Sequence, residues 1–247
     1  MKFKFGYILI GLGIILILVV GGFVAWAQHT MGPGEQALTA LESEGDVNVT
    51  VGEDAIIFQP QNVEPDTALV FYPGARVDYR SYARPLRQVA SRGFLVISVR
   101  APLNMVILNP NEAEAFFPQY SGIQHWAVGG HSLGGVVAAQ YAKNHTDIVE
   151  GVVLWAAYLS GNNNLSGSGL RALSVYGTLD MSGVEPFENS KAFMPERTTW
   201  VIINNGNHSQ FGDYGLQPGD TERAVRDFHQ QALTVAATEK FLRSLGE

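Results

Sequence analysis

The chain has 247 residues, 46% of them hydrophobic, a formal charge of −7 and no cysteine. That length suffices for one large domain with a well-buried core, and the acidic balance without a basic face argues against a nucleic-acid partner. The lack of cysteine excludes disulfides, thiolate metal sites and a cysteine nucleophile, and leaves the redox compartment open.

Tyr7 to Ala27 carries no charge and is dense in Ile, Leu and Val. As a helix this run spans about 31 Å, close to the ~30 Å hydrocarbon core of a bilayer. Lys2 and Lys4 precede it, and no further Lys or Arg occurs before Arg76. The positive-inside tendency then keeps the N-terminus cytoplasmic and sends the rest outside, with Trp26 at the outer interface. Ala25-Trp26-Ala27 also matches a signal-peptide cleavage pattern. The apolar run is longer than the ~7–15 residues of an ordinary signal h-region, so an uncleaved single-pass anchor is the expectation. Cleavage, giving a secreted protein, is the alternative.

Residues 29–45 read as a linker entering a short helix, with Leu38 and Leu41 as its apolar contacts. Asp46 to Val51 alternates as an edge strand, Gly52-Glu53-Asp54 turns, and Ala55 to Gln59 completes a hairpin. Thr67 to Tyr72 and Phe94 to Val99 are continuous apolar runs, as buried parallel strands require. Tyr82, Leu86 and Val89 have helical spacing, with Gly93 as the stop. Pro102, Pro110 and Pro118 break the segment from Ala101 to Tyr120 into short turns. Further strands are expected at His125–Gly129, Val149–Ala156, Ala172–Tyr176 and Thr199–Ile203. Ser160 to Gly169, rich in Asn, Ser and Gly, reads as a mobile surface loop. Asp220 or Thr221 is expected to cap a last helix running to Leu245, with Val225, Phe228, Ala232, Val235, Leu242 and Leu245 facing the core. Strands alternating with helices imply an α/β domain over residues 46–247, a mostly parallel twisted sheet covered on both faces.

Gly130-His131-Ser132-Leu133-Gly134 fits G-x-S-x-G, a strained strand-to-helix turn that exposes a nucleophilic serine. A serine hydroxyl needs a base, and the base needs an orienting group. Where this turn occurs, the partners follow in the order Ser, Asp or Glu, His. Asp180 and His208 each follow directly on an expected strand end, so Ser132, Asp180 and His208 form the candidate catalytic set, with Glu185 as fallback acid. His125, His145, His229 and His29 read as structural, capping or solvated. His131 is expected to pack beside the serine without a chemical role. The oxyanion hole needs two backbone donors: Leu133 N–H, and one from Pro73-Gly74-Ala75-Arg76, with Ala75 preferred and Arg76 next. No histidine–carboxylate group has metal-ligand spacing, so neither metal nor other cofactor is expected.

With these residues in order, the chain resembles the α/β-hydrolase superfamily, in particular the small lidless branch of dienelactone-hydrolase-like proteins and related bacterial esterases. The resemblance spans about Asp46 to Leu245 and rests on Tyr72-Pro-Gly-Ala75, the elbow, Tyr176-Gly-Thr-Leu-Asp180 and Gly206-Asn-His-Ser-Gln-Phe-Gly212. The segment from Asn207 to Gly215 suggests a narrower set of membrane-anchored hydrolases. Dienelactone hydrolases carry cysteine where Ser132 stands, and dehalogenases carry aspartate, so neither activity is expected. The short polar gap from Ala157 to Arg171 leaves no room for a lid helix. The resemblance implies a serine hydrolase acting through an acyl-enzyme, most simply on carboxylic esters of small or soluble substrates. Another acyl bond (amide, peptide or thioester) and a non-catalytic binding protein on the same scaffold are the alternatives.

Overall fold

A computed structural model describes residues 2–43, 45–221 and 225–247 of the chain. It opens with α1 (Lys2–Gln28). Among the described residues this is the one helix long and apolar enough to cross a membrane, and its most apolar stretch is not buried inside the protein. The next residues do not hang free. Met31 forms a parallel bridge with Val77 and exchanges backbone hydrogen bonds with Arg76 and Asp78. The short helix follows as α2 (Glu35–Thr39), but Leu38 is exposed, and Ala37 and Ala40 make the buried contacts instead. Its free N-terminus is capped from far along the chain, Ala37 N–H donating to the Asp213 carboxylate at 2.9 Å. That remote cap sets which face turns inward, which spacing alone could not show.

β1 (Val47–Val51) and β2 (Ala55–Pro60) form the expected hairpin at one edge of an eight-stranded sheet. Beyond them lie β3 (Thr67–Tyr72), β4 (Leu95–Val99), β5 (His125–His131), β6 (Val149–Trp155), β7 (Arg171–Gly177) and β8 (Arg197–Ile203). The spatial order is β1-β2-β4-β3-β5-β6-β7-β8; β2 pairs antiparallel with both β1 and β4, and all other neighbouring pairs are parallel. Alternation along the buried strands divides the core between the two faces. Leu69 and Phe71 of β3 join Leu86 and Val89 of α3 (Ala83–Ala90) and the last helix, α6 (Asp227–Arg243). Val70 and Tyr72 face α4 (Leu133–Asn144), whose Ala138, Ala139 and Ala142 let it lie close on the sheet. Residues 101–120 form four 3₁₀ turns, as the prolines require. α5 (Glu185–Ser190) precedes β8.

α6 corrects two expectations. It begins at Asp227 after Arg226, without a side-chain cap, so neither Asp220 nor Thr221 starts it. Residues 222–224 lie outside the described residues. Val235, Leu242 and Leu245 do pack inward, but Phe228 and Ala232 are exposed. The first turns of its inner face are polar instead: Gln230, Gln231, Thr234 and Thr238 are all buried. A hydrophobic-periodicity reading passes over such a face, because its partners are backbone groups rather than apolar side chains.

Candidate active site

Ser132, Asp180 and His208 all follow the C-terminal ends of parallel strands, β5, β7 and β8 respectively. At Ser132 the chain turns from β5 into α4 with φ 52° and ψ −122°, a conformation that costs a non-glycine residue about 1–3 kcal/mol. The flanking glycines make that turn possible. A Cβ on Gly134 would lie 2.2 Å from the carbonyl oxygen of Tyr72, and one on Gly130 would lie 2.3 Å from the carbonyl carbon of Gly134. Ser132 N–H donates to Trp155 O on β6 at 2.9 Å. Its hydroxyl has no hydrogen-bond partner among the described residues.

His208 and Asp180 meet. The His208 Nδ1–H donates to Asp180 Oδ2 at 2.8 Å, and both side chains are buried. The other carboxylate oxygen, Oδ1, accepts from Ser182 N–H at 2.9 Å. In the neutral ring with Nδ1 protonated, Nε2 presents a lone pair, and this buried atom has no partner among the described residues. The two loops are also joined by backbone: Leu179 N–H donates to Gly206 O, and Thr178 N–H to Ile203 O. Glu185, at the start of α5, is exposed and takes no part.

The histidine loop is clamped by residues that the motif did not mark. Gln230 of α6 pairs with the backbone of Asn207, accepting from its N–H at 3.0 Å and donating to its carbonyl at 2.8 Å. Asp220 accepts from Ser209 N–H at 2.7 Å and from the Ser209 hydroxyl. An Asp in a polar loop reads as a cap by habit; here it closes the loop on itself.

His131 does more than pack. Its Nε2 lies 2.9 Å from His208 O, and a carbonyl only accepts, so Nε2 carries the hydrogen. Burial first, and then the neighbouring His208, pushes this imidazole well below the ordinary histidine range, so it is neutral. Nδ1 therefore accepts from the Tyr82 hydroxyl at 2.8 Å. The Tyr82 oxygen in turn accepts from Gly74 N–H at 3.1 Å. One buried chain of bonds thus ties the Pro73–Arg76 loop to the elbow and to the backbone of His208. It also sorts the backbone donors of that loop. Gly74 N–H is used by Tyr82, and Arg76 N–H by Asn104 O at 2.8 Å. Ala75 N–H has no partner among the described residues. Neither does Leu133 N–H, the first of α4, as helix geometry requires. His125 pairs with Glu150, and His145 closes the end of α4 on Tyr141 O.

Compared with known proteins, residues 68–232 match the model of the alpha/beta hydrolase family, and the chain belongs to that family. No curated protein matches its sequence. Among solved structures it is similar to an esterase from the hyperthermophilic archaeon Pyrobaculum calidifontis, at 17% identity and TM-score 0.55 over 85% of this chain and 90% of that one. It is also similar to a dienelactone hydrolase from Anabaena variabilis, at 15% identity and TM-score 0.56 over 81% and 100% of the two chains. A Thermus thermophilus protein shares 14% identity at TM-score 0.58, over 79% and 98%. At these identities the likeness is one of fold.

Proposed function

We propose that the protein is a serine hydrolase that cleaves a carboxylic ester through an acyl-enzyme, held to a membrane by α1 with its catalytic domain outside the cytoplasm. The observation that carries this is the state of His208. Its Nδ1–H is engaged by Asp180, and its buried Nε2 lone pair is unshared beside the elbow. The ring of His131, next in sequence to Ser132, lies 4.7 Å from that of His208.

In the reaction, Nε2 takes the Ser132 hydroxyl proton as Oγ attacks the acyl carbon. Asp180 steadies the imidazolium. The carbonyl oxygen becomes an oxyanion held by the N–H groups of Leu133 and Ala75, whose freedom from other bonds supports that role. The tetrahedral species collapses, the ester C–O bond breaks, and Nε2 returns the proton to the departing alcohol. Water then gives a proton to Nε2 and attacks the acyl carbon. Oγ leaves with that proton, releasing the acid. Hydrogen bonds of this kind are often unmade in the unliganded site and close on substrate. The segment between β6 and β7 holds one 3₁₀ turn and no longer helix, which supports an open, lidless site.

A fluorophosphonate should label Ser132. Ser132→Ala should abolish labelling and lower turnover of a short-chain aryl ester by a factor on the order of 10⁶. Turnover that survives in this variant rejects the mechanism. Folded wild-type protein that resists the probe points to a binding scaffold instead, and preferential cleavage of amides or thioesters moves the assignment to another acyl bond.

A further inference from the structure

We propose that the mouth of this site rests on the bilayer that holds α1, and that the ester it cleaves belongs to a membrane-resident amphiphile rather than to a soluble substrate. The inference builds on the hydrolase and anchor readings above and adds where the substrate comes from.

The first ground is where α1 ends. Its last turn is docked on the domain: Ala27 is fully buried, and the guanidinium of Arg76 lies 4.6 Å from the centre of the Trp26 ring. Arg76 also donates to His29 O at 2.6 Å. Trp26 closes the apolar stretch, where a tryptophan settles at headgroup level. Arg76 directly follows Ala75, and consecutive Cα atoms are about 3.8 Å apart. The loop proposed to hold the oxyanion is therefore bonded to the segment that emerges from the membrane.

The second ground is the chemistry of the surface around the site. Ile107 and Leu108 after β4, Tyr158 after β6, Met181 after β7 and Leu216 after β8 are each between 41% and 52% exposed. Single apolar residues on a surface mean little. These lie on the sheet edge that carries Ser132, Asp180 and His208, in segments nearly free of charge. Residues 101–111, 157–170 and 214–219 contain no Asp, Glu, Lys or Arg, in a chain that is 16% charged. On the opposite edge the connections into β3, β4, β6 and β8 are charged, through Glu64 and Asp66, Arg92, Lys143 and Asp147, and Lys191 and Glu196, whereas those into β5 and β7 are not. Charges on the site edge are mostly engaged: Asp78 is bound to Arg80 at 2.6 Å, Asp213 holds α2, and Arg100 donates to Glu53 O, while Glu53, Asp54, Arg100 and Glu112 line a polar pocket beside Gln28 and Glu185 is exposed. Apolar, uncharged stretches meet lipid at little desolvation cost, and these are the stretches that carry Ile107, Leu108, Tyr158 and Leu216.

The absence of cysteine makes the test direct. Leu108→Cys, Met181→Cys and Leu216→Cys, with Val63→Cys and Ile148→Cys as opposite-edge controls, are each labelled with nitrobenzoxadiazole. The full-length proteins are then reconstituted in vesicles of phosphatidylcholine and phosphatidylglycerol. Site-edge labels should be quenched by lipid spin-labelled near the headgroup and shielded from aqueous iodide; the controls should behave the opposite way. Site-edge labels quenched by iodide like the controls overturn the docking. Labels shielded from both quenchers indicate a protein partner or second copy, and overturn it too. This arm needs no catalysis, so it judges the docking even if the fluorophosphonate test fails. In the second arm, Leu108→Ser/Leu216→Ser should lower hydrolysis of a fluorogenic oleoyl ester in the vesicles about tenfold. Soluble butyrate-ester turnover should change less than about twofold in the same variant. An equal change in both rates, or none in either, overturns the substrate assignment.

Discussion

Ser132 and His208 stand on the same edge of the sheet, after β5 and β8, but are held by different means. The elbow is backbone against backbone: two glycines let α4 and the Tyr72 carbonyl close on a strained serine, and its N–H is tied to β6. The histidine loop is held largely by side chains, with Asp180 on the imidazole, Gln230 on Asn207, Asp220 on Ser209 and His131 on the His208 carbonyl. Backbone contact at van der Waals distance has no slack, so an error there is close to all-or-none. A loop fastened by separate hydrogen bonds loses them one at a time. The elbow should therefore fail by unfolding, and the loop by degrees.

The sharpest way to break that comparison is Gly134→Ala. The new Cβ would sit 2.2 Å from a backbone oxygen, which no rotamer change relieves. The expected loss is at least about 4 kcal/mol, read as a collapsed urea midpoint or failure to fold. A stable, active variant would mean the elbow has slack after all. Gln230→Leu comes next. It keeps the volume but leaves the buried N–H and C=O of Asn207 unpaired, at a cost of about 2–3 kcal/mol. The variant should fold, retain its elbow, and lose turnover because the base is less well held. Unchanged stability would mean that water replaces the Gln230 amide. The smallest effect concerns the strap through His131, and it is read as a slope. His131 is neutral in the fold, with its pKa held below the ordinary value of 6.5. Its contribution to stability is full above about pH 6.5 and is lost as pH falls from there toward the depressed value, because the unfolded chain takes up the proton. The slope should be about 1.4 kcal/mol per pH unit. It should vanish in His131→Gln when urea midpoints are compared at pH 7, 6 and 5. Equal slopes in the two proteins would show that His131 is not the group held neutral.

Sequence legibility follows the same division. The elbow was readable because its glycines, strand and helix are contiguous, and α1, β3 and β4 because continuous apolar runs admit few other states. Asp180 and His208 are singled out by their order and their places after strands, and the fold pairs them. The clamps were not: Tyr82 reads only as part of a helical face, and nothing in the sequence marks Gln230. A glutamine that binds a loop in place of packing leaves no periodic mark. Leu38 and Phe228 failed for the complementary reason. Apolar residues were assigned inward, but the rotation of short α2 and of the start of α6 is set by Asp213 and Asn207, which lie far away in the chain.

Read alone, the amino-acid order determined that one stretch can cross a bilayer, that a parallel sheet follows, and that a serine stands at a strained turn. These depend on composition and on spacings of a few residues. Only the folded chain decided which N–H groups near that serine stay unbonded, which side chains brace the histidine, and which edge of the sheet α1 adjoins. Those are matters of pairing between groups dozens of residues apart, and a buried donor is free or used only once every other partner has taken its place.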